Sequence, residues 1–241
     1  MRWTALSAIE RLLLPAECLL CQQLIRDPSD PVVCAVCRAR WRAVRPPFCD
    51  RCGQPGLRGV ACSLCTVWPD GFVVARSAVW LDDGPRSAVH ALKYDGFARL
   101  GAELGGVVAR LVGPALERAD AVVPVPLGSR RQRIRGYNQC DGIARVCADR
   151  WGIPFRPDLL RRRRETATQT ALTPEARRAN VAGAFEQRPG AFVPSQVVLV
   201  DDVFTTGSTL TEAAAALLAG GVTHVGAVTF GRATLPNFLQ E

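Results

Sequence analysis

Residues Val197-Val198-Leu199-Val200-Asp201-Asp202-Val203-Phe204-Thr205-Thr206-Gly207-Ser208-Thr209 decide the fold. The four leading apolar residues spell a strand buried on both faces, as in a parallel sheet. Asp201 and Asp202 follow at its carboxyl end, where open α/β sheets place their ligands. The Thr/Gly/Ser/Thr turn leads into an alanine-rich run, Thr211 to Ala219, closed by Gly220-Gly221, which predicts a helix with a glycine C-cap. A small-residue loop opening a helix offers backbone N–H groups and the positive end of the helix dipole to an anion, most often a phosphate. Hydroxyls on Thr205, Thr206, Ser208 and Thr209 add hydrogen bonds. One strand end thus presents a phosphate cup beside a carboxylate pair, which suits a phosphorylated sugar with its phosphate in the cup and its hydroxyls on the acids. Both acids are expected near the surface of that sheet edge.

The stretch resembles the signature of type I phosphoribosyltransferases, which bind phosphoribosyl pyrophosphate (PRPP) with magnesium. The resemblance implies that Asp201 and Asp202 hold the ribose 2′- and 3′-hydroxyls. It also implies that Thr205, Thr206, Gly207, Ser208 and Thr209 hold the 5′-phosphate.

Eight of the ten cysteines fall in four C-x-x-C pairs, Cys18/Cys21, Cys34/Cys37, Cys49/Cys52 and Cys62/Cys65. The two-residue gap lets both sulfurs reach one tetrahedral metal, and two pairs complete a four-cysteine site. Four pairs therefore point to two structural zinc ions. Sequential pairing, 18/21 with 34/37 and 49/52 with 62/65, is the simplest, and a crossed pairing satisfies the same count. Gly53 after Cys52 suits the left-handed backbone of such knuckles. Disulfides or an iron–sulfur centre are the competing readings. Disulfides need an oxidising compartment, and the first fifteen residues, broken by Glu10 and Arg11, do not read as a secretory signal. Those residues predict a short amphipathic helix using Leu6, Ile9, Leu12 and Leu13, stopped by Pro15. Cys140 and Cys147 share a face of a helix and read as small core residues.

At 241 residues the chain has room for one or two domains and a proper core. No run is long and apolar enough to span a membrane. The formal charge is +8; eight thiolates remove eight charges and two zinc ions return four, leaving +4. Arg130, Arg131, Arg133 and Arg135 cluster, as do Arg161 to Arg164. Each cluster reads either as a phosphate contact or as a solvated face. No aromatic residues interleave with them to make a stacking platform for single strands.

Residues 1–70 are rich in loops and prolines, so metal is expected to replace a core there. Beyond them, strands alternate with helices, which argues for a parallel sheet. Strands are predicted over 71–81, 121–125, 196–200 and 222–230. Helices are predicted over 85–94, 100–112 and 136–151, with a further helix starting at Thr173-Pro174. The expected organisation is an N-terminal helix and double zinc ribbon over 1–70, then an α/β domain over 71–241.

Further segments extend the resemblance. Val123-Pro124-Val125-Pro126 ends a strand, and Leu127-Gly128-Ser129-Arg130-Arg131 resembles the pyrophosphate loop of amidophosphoribosyltransferases. On that likeness Pro126, Leu127, Arg130 and Arg131 hold the leaving pyrophosphate. The polar segment 161–172 looks like the hood that closes over PRPP, or else a plain surface β-ribbon. Together with Ala91-Leu92-Lys93-Tyr94, Arg135-Gly136-Tyr137-Asn138-Gln139, Glu165 to Thr170, Arg177 and Asn180, these segments make the chain similar from end to end to the ComF family. These are competence-associated, amidophosphoribosyltransferase-like bacterial proteins with an N-terminal double zinc ribbon. The resemblance implies a type I phosphoribosyltransferase fold and a cytoplasmic protein linked to the handling of incoming single-stranded DNA.

Three functions stay open. One is magnesium-dependent phosphoribosyl transfer to an acceptor that no motif identifies. A second is a module of the same fold that keeps PRPP binding and serves DNA uptake. The third is a catalytically silent scaffold whose zinc ribbon binds single-stranded DNA or competence partners. Lys93, the sole lysine, reads equally as a phosphate ligand and as an exposed helix residue. His90 and His224 have no evident partner in the sequence and read as structural.

Overall fold

The computed structural model describes residues 16–25, 32–55, 62–113, 119–165 and 174–234. In chain order the described elements are α1 (Ala35–Ala39), β1 (Phe72–Trp80), α2 (Asp83–Tyr94), α3 (Leu100–Val112), β2 (Ala121–Pro124), α4 (Ser129–Arg135), α5 (Gln139–Trp151), β3 (Leu160–Arg162), α6 (Pro174–Val181), β4 (Phe185–Gln187), β5 (Gln196–Phe204), α7 (Ser208–Ala219) and β6 (His224–Arg232). Four strands form a parallel sheet in the order β1-β6-β5-β2, and β3 pairs with β4 in an antiparallel ribbon. This is the expected α/β architecture, a parallel sheet with a separate two-stranded ribbon, preceded by the cysteine-rich segment.

The chain steps from β1 to β2 in one direction along the sheet and from β5 to β6 in the other. Right-handed crossovers then require opposite faces. Accordingly α3 and α5 pack with Val200, Val228 and Phe230 on one face, and α7 packs with Leu199, Val225 and Ala227 on the other. Gly101 and Gly105, poor helix formers, are where α3 meets α5. A Cβ on Gly105 would stand 2.8 Å from the Ile143 carbonyl oxygen, so only glycine permits that approach.

Several boundaries differ from expectation. The helix predicted over 136–151 starts at Gln139, because Gly136 adopts φ +82 and closes a separate helix, α4, over residues expected to be loop. Asn138 then caps α5 by accepting from the Cys140 N–H at 3.3 Å. Arg130 and Arg131 therefore lie in the first turn of α4, not in a loop. Strand β5 continues through both acids because Val203 and Phe204 keep pairing with Gly231 and Arg232. Helix α7 begins at Ser208, three residues earlier than predicted. The expected helix before Pro15, Thr173, and residues 166–170 lie outside the described residues.

The cysteine-rich segment does not stand on metal alone, and this corrects the expectation. Cys18, Cys37 and Trp41 belong to the core on the α3/α5 face, and Cys52, Cys62, Cys65 and Trp68 to the core on the α7 face. Trp41 meets Phe230 edge-on at 5.2 Å, and Trp68 stacks on Phe72 at 3.9 Å. Residues 42–44 run along β1, with Val44 N donating to Ala78 O and Trp80 N to Arg42 O, which covers an otherwise open sheet edge. The segment has too little apolar surface for a core of its own, so it borrows the sheet's.

Candidate functional site

Strand alternation turns Asp201 and Asp202 toward opposite faces of β5. Asp201 faces the α7 side, where its Oδ1 accepts from Cys140 Sγ at 3.3 Å and from the Asp202 N–H at 2.9 Å. Asp202 faces the other side, where its Oδ1 accepts from Lys93 Nζ at 2.7 Å. Its Oδ2 is buried without a hydrogen-bond partner among the described residues. The two acids are 9% and 4% exposed, deeper than the surface position expected of them. Burial, reinforced by the Asp202 charge, pushes the Asp201 carboxyl up to about 6. Burial opposes the charge on Lys93, but the Asp202 carboxylate beside it prevails and holds the ammonium above its ordinary range. Burial also raises the Cys140 thiol, so it stays protonated and donates.

Past β5, residues Thr205 to Gly207 turn into α7. Gly207 sits at φ +77, and a Cβ there would lie 2.8 Å from the Phe204 ring. Thr206 Oγ1 and Ser208 Oγ are 2.8 Å apart, and the Thr211 N–H and hydroxyl both donate to Gly207 O. Helix α7 opens directly from this turn, so the positive end of its dipole lies at the loop that follows the acid-bearing strand.

A second loop rises from the neighbouring strand. The Val125 N–H donates to Val200 O at 2.9 Å, which sets Pro126, Leu127 and Gly128 beside β5. One carboxylate oxygen of Glu165, from the hood, accepts from the Arg130 N–H at 2.9 Å and from Ser129 Oγ at 3.0 Å. The Arg130 N–H holds the Glu165 carboxyl below its usual range. A side-chain anion thus rests where the sequence predicts a pyrophosphate. Residues 135–140 then tie these segments together. Tyr137 Oη donates to Leu92 O, next to Lys93; Asn138 Nδ2 donates to Val125 O at 3.1 Å; Gln139 accepts from Arg135. Sequence reasoning carried 135–139 only as a family motif and took Cys140 for packing. The partners of Tyr137, Asn138 and Cys140 lie in other segments, so no local spacing announced them.

The cysteines assemble sequentially, Cys18, Cys21, Cys34 and Cys37 in one cluster and Cys49, Cys52, Cys62 and Cys65 in the other. Tetrahedral Zn–S bonds of about 2.3 Å put sulfurs about 3.8 Å apart. Cys21–Cys34 and Cys49–Cys65 are each 3.8 Å apart and Cys52–Cys62 is 3.4 Å, so the donor sets fit zinc and not disulfides. Cys18 Sγ accepts from the N–H groups of Leu20 and Cys34, as knuckle thiolates do. Gly53 takes φ +70 as expected, and Gln22 occupies the same region at φ 57. Glu103 of α3 accepts from the N–H groups of Val32 and Val33 and anchors the first cluster.

The arginine runs divide. Arg161 pairs with Glu186 at 2.8 Å and Arg164 donates to Ala182 O and Asn180 O, so these hold the hood together. Helix α4 buries none of its residues, and Arg135 lies over Tyr94. His90 meets Asp95 and His224 meets Thr223, both at exposed positions. Cys147 donates weakly to Gly105 O inside the α3–α5 contact, a packing role. No helix among the described residues is long and apolar enough to cross a membrane.

Residues 9–66 match the family described as a double zinc ribbon domain. Over 223 residues the chain is 32% identical to DNA utilization protein YhgH of Salmonella typhimurium, covering 89% of this chain and 96% of that protein. Over 224 residues it is 26% identical to competence protein ComFC of Bacillus subtilis, covering 85% and 89%. Among solved structures, orotate phosphoribosyltransferase from Aeropyrum pernix matches with a TM-score of 0.34 at 21% identity, covering 64% of this chain and 66% of that one.

Proposed function

The chain belongs to the ComF family, and from that premise we propose that it is a cytoplasmic protein that binds PRPP at the carboxyl ends of β2 and β5 and serves the handling of incoming single-stranded DNA. The observation that carries this reading is the acid pair beside the left-handed Gly207 loop, faced by a second anion-ready loop from the adjacent strand. Thr205, Thr206, Gly207, Ser208 and Thr209 take the 5′-phosphate. Asp201 and Asp202 take the ribose hydroxyls, with Asp202 Oδ2 the acceptor that has no other partner among the described residues. Pro126, Leu127, Arg130 and Arg131 take the pyrophosphate once Glu165 withdraws. Lys93 acts by orienting Asp202, not by touching phosphate.

Phosphoribosyl transfer at this site breaks the bond between the anomeric carbon and the pyrophosphate oxygen while a nucleophilic atom of the acceptor bonds that carbon and gives up its proton, and pyrophosphate leaves with the electron pair. The negative charge that grows on the pyrophosphate meets fixed backbone N–H groups and the arginines of α4. The carboxylates favour the positive charge that grows on the sugar. A magnesium ion arriving with the ligand would find oxygen donors on Asp201 and Asp202 and would neutralise charge on the leaving group. Closure of the β3–β4 hood would keep water from the sugar. The test is calorimetric titration of PRPP, with and without Mg²⁺, on the zinc-loaded wild type and on Asp201→Asn with Asp202→Asn. Saturable binding lost in the double variant supports the reading. A folded, zinc-loaded wild type that fails to bind would return the protein to the scaffold function, with single-stranded DNA or competence partners on the ribbon.

A further inference from the structure

Arg232, at the end of β6, is 1% exposed, and a guanidinium stays charged at any ordinary pH. A buried cation needs a counter-charge, yet no acidic side chain among the described residues pairs with it. Its Nη1 donates to Cys52 O at 2.7 Å and its Nη2 to Gln54 Oε1 at 2.7 Å, so it grips the knuckle that follows Cys52. Two more arginines converge there. Arg51 donates to Cys65 O at 3.0 Å, and Arg76 donates to Asp50 O at 2.6 Å. Four thiolates around one Zn²⁺ carry a net charge of −2, and three guanidiniums turned inward are what such a centre attracts. The first cluster is held differently, by the Glu103 carboxylate on its backbone N–H groups.

The other face of the Arg232 guanidinium lies over the Phe204 ring at 4.3 Å. Phe204 pairs with Arg232 across β5 and β6, and it is the ring under Gly207 that leaves no room for a Cβ. One planar group therefore touches the second cysteine cluster on one side and the floor of the phosphate loop on the other. We propose that Arg232 is a positioning residue that answers the charge of the second zinc–thiolate centre and, through Phe204, makes the order of the 205–209 loop depend on the metal at Cys49, Cys52, Cys62 and Cys65. The inference rests on the zinc reading of that cluster and not on the identity of the ligand.

Full-length, zinc-loaded protein is compared with Arg232→Met and Phe204→Leu by two measurements, zinc release to a chromophoric chelator and amide hydrogen exchange. In Arg232→Met one of the two zinc equivalents should leave about tenfold faster while the other keeps its wild-type rate. Residues 203–210 should exchange about tenfold faster, with α3 and α5 unchanged, whereas a general loss of stability would speed exchange everywhere. Phe204→Leu should loosen the same residues and release both zinc ions at the wild-type rate. Should Arg232→Met not fold, Arg232→Lys carries the test. It keeps the charge and loses the planar fork, so zinc release stays within a few-fold of wild type while 203–210 exchange faster. Wild-type exchange over 203–210 in the folded variant, or acceleration spread evenly over the sheet, overturns the proposal. A wild type purified without zinc would instead overturn the zinc reading.

Discussion

Lys93 Nζ stands 2.7 Å from Asp202 Oδ1, so the only lysine of the chain is spent on one of the two acids that follow the central hydrophobic strand. The pair joins the last turn of α2 to the carboxyl end of β5 and supplies Asp202 with a cation before any ligand arrives.

Removing that cation leaves a buried carboxylate alone. Lys93→Met should destabilise the protein by about 3 kcal/mol, the low end for a broken buried pair because the lysine side chain is 24% exposed. Denaturant unfolding measures it. Adding Asp202→Asn should restore most of the loss, since the two effects act on one interaction. A Lys93→Met protein as stable as wild type would show that the pair contributes nothing.

Asp201 titrates near 6 when folded, above its usual value of 3.8. The folded state therefore holds this proton over a window in which the unfolded chain has released it. Stability from this group falls as pH rises from about 4 to 6 and stays lower above that. Asp201→Asn, which cannot ionise, should be more stable than wild type at pH 7 by about 1–3 kcal/mol, with the gain gone at pH 4. Binding of PRPP should show the opposite trend in wild type and strengthen as pH rises through 6. Thermal unfolding and calorimetry across pH 4–8 check both signs.

Glu165 occupies the N–H of Arg130 and the hydroxyl of Ser129, where the pyrophosphate is proposed to bind. Binding must displace a carboxylate. Glu165→Ala should therefore raise the affinity for magnesium pyrophosphate by about three- to tenfold, equivalent to about 1 kcal/mol. Titration of both proteins with that ligand is the check, and weaker binding by the variant would show that Glu165 assists binding instead.

Gly207 holds a left-handed backbone directly above Phe204. Gly207→Ala should lose PRPP binding and destabilise the protein by about 1–3 kcal/mol, because the alanine is strained and its methyl strikes the ring. Zinc content should remain two per chain by metal analysis. Normal binding by the alanine variant would remove this loop from the site.

Much of this was legible from residue spacing. The apolar run 197–200 ending in two acids, the small-residue turn after it and the four cysteine pairs each specify a local geometry by themselves, and the structure has a parallel sheet, a left-handed Gly207 and two four-sulfur clusters. Boundaries were less legible. The helix expected at Thr211 starts at Ser208, because a threonine and serine turn reads as loop until the left-handed Gly207 is seen to stand at the helix start. The depth of the acids was misjudged for a related reason. A strand end looks solvent-facing in sequence, and only the packing of α2 and α5 against it covers Asp202 and Asp201.

The sequence by itself therefore determined the fold class, the place of the acid pair at a strand end beside a small-residue loop that opens a helix, and the cysteine knuckles, since each depends on residues within one or two turns of chain. Tertiary structure alone decided what those groups touch. Lys93 reaches Asp202 across 109 residues, Cys140 reaches Asp201 across 61, and Arg232 reaches Cys52 across 180. Sheet order and crossover direction set such contacts, and the burial they create raises the Asp201 carboxyl and leaves Arg232 in need of a counter-charge.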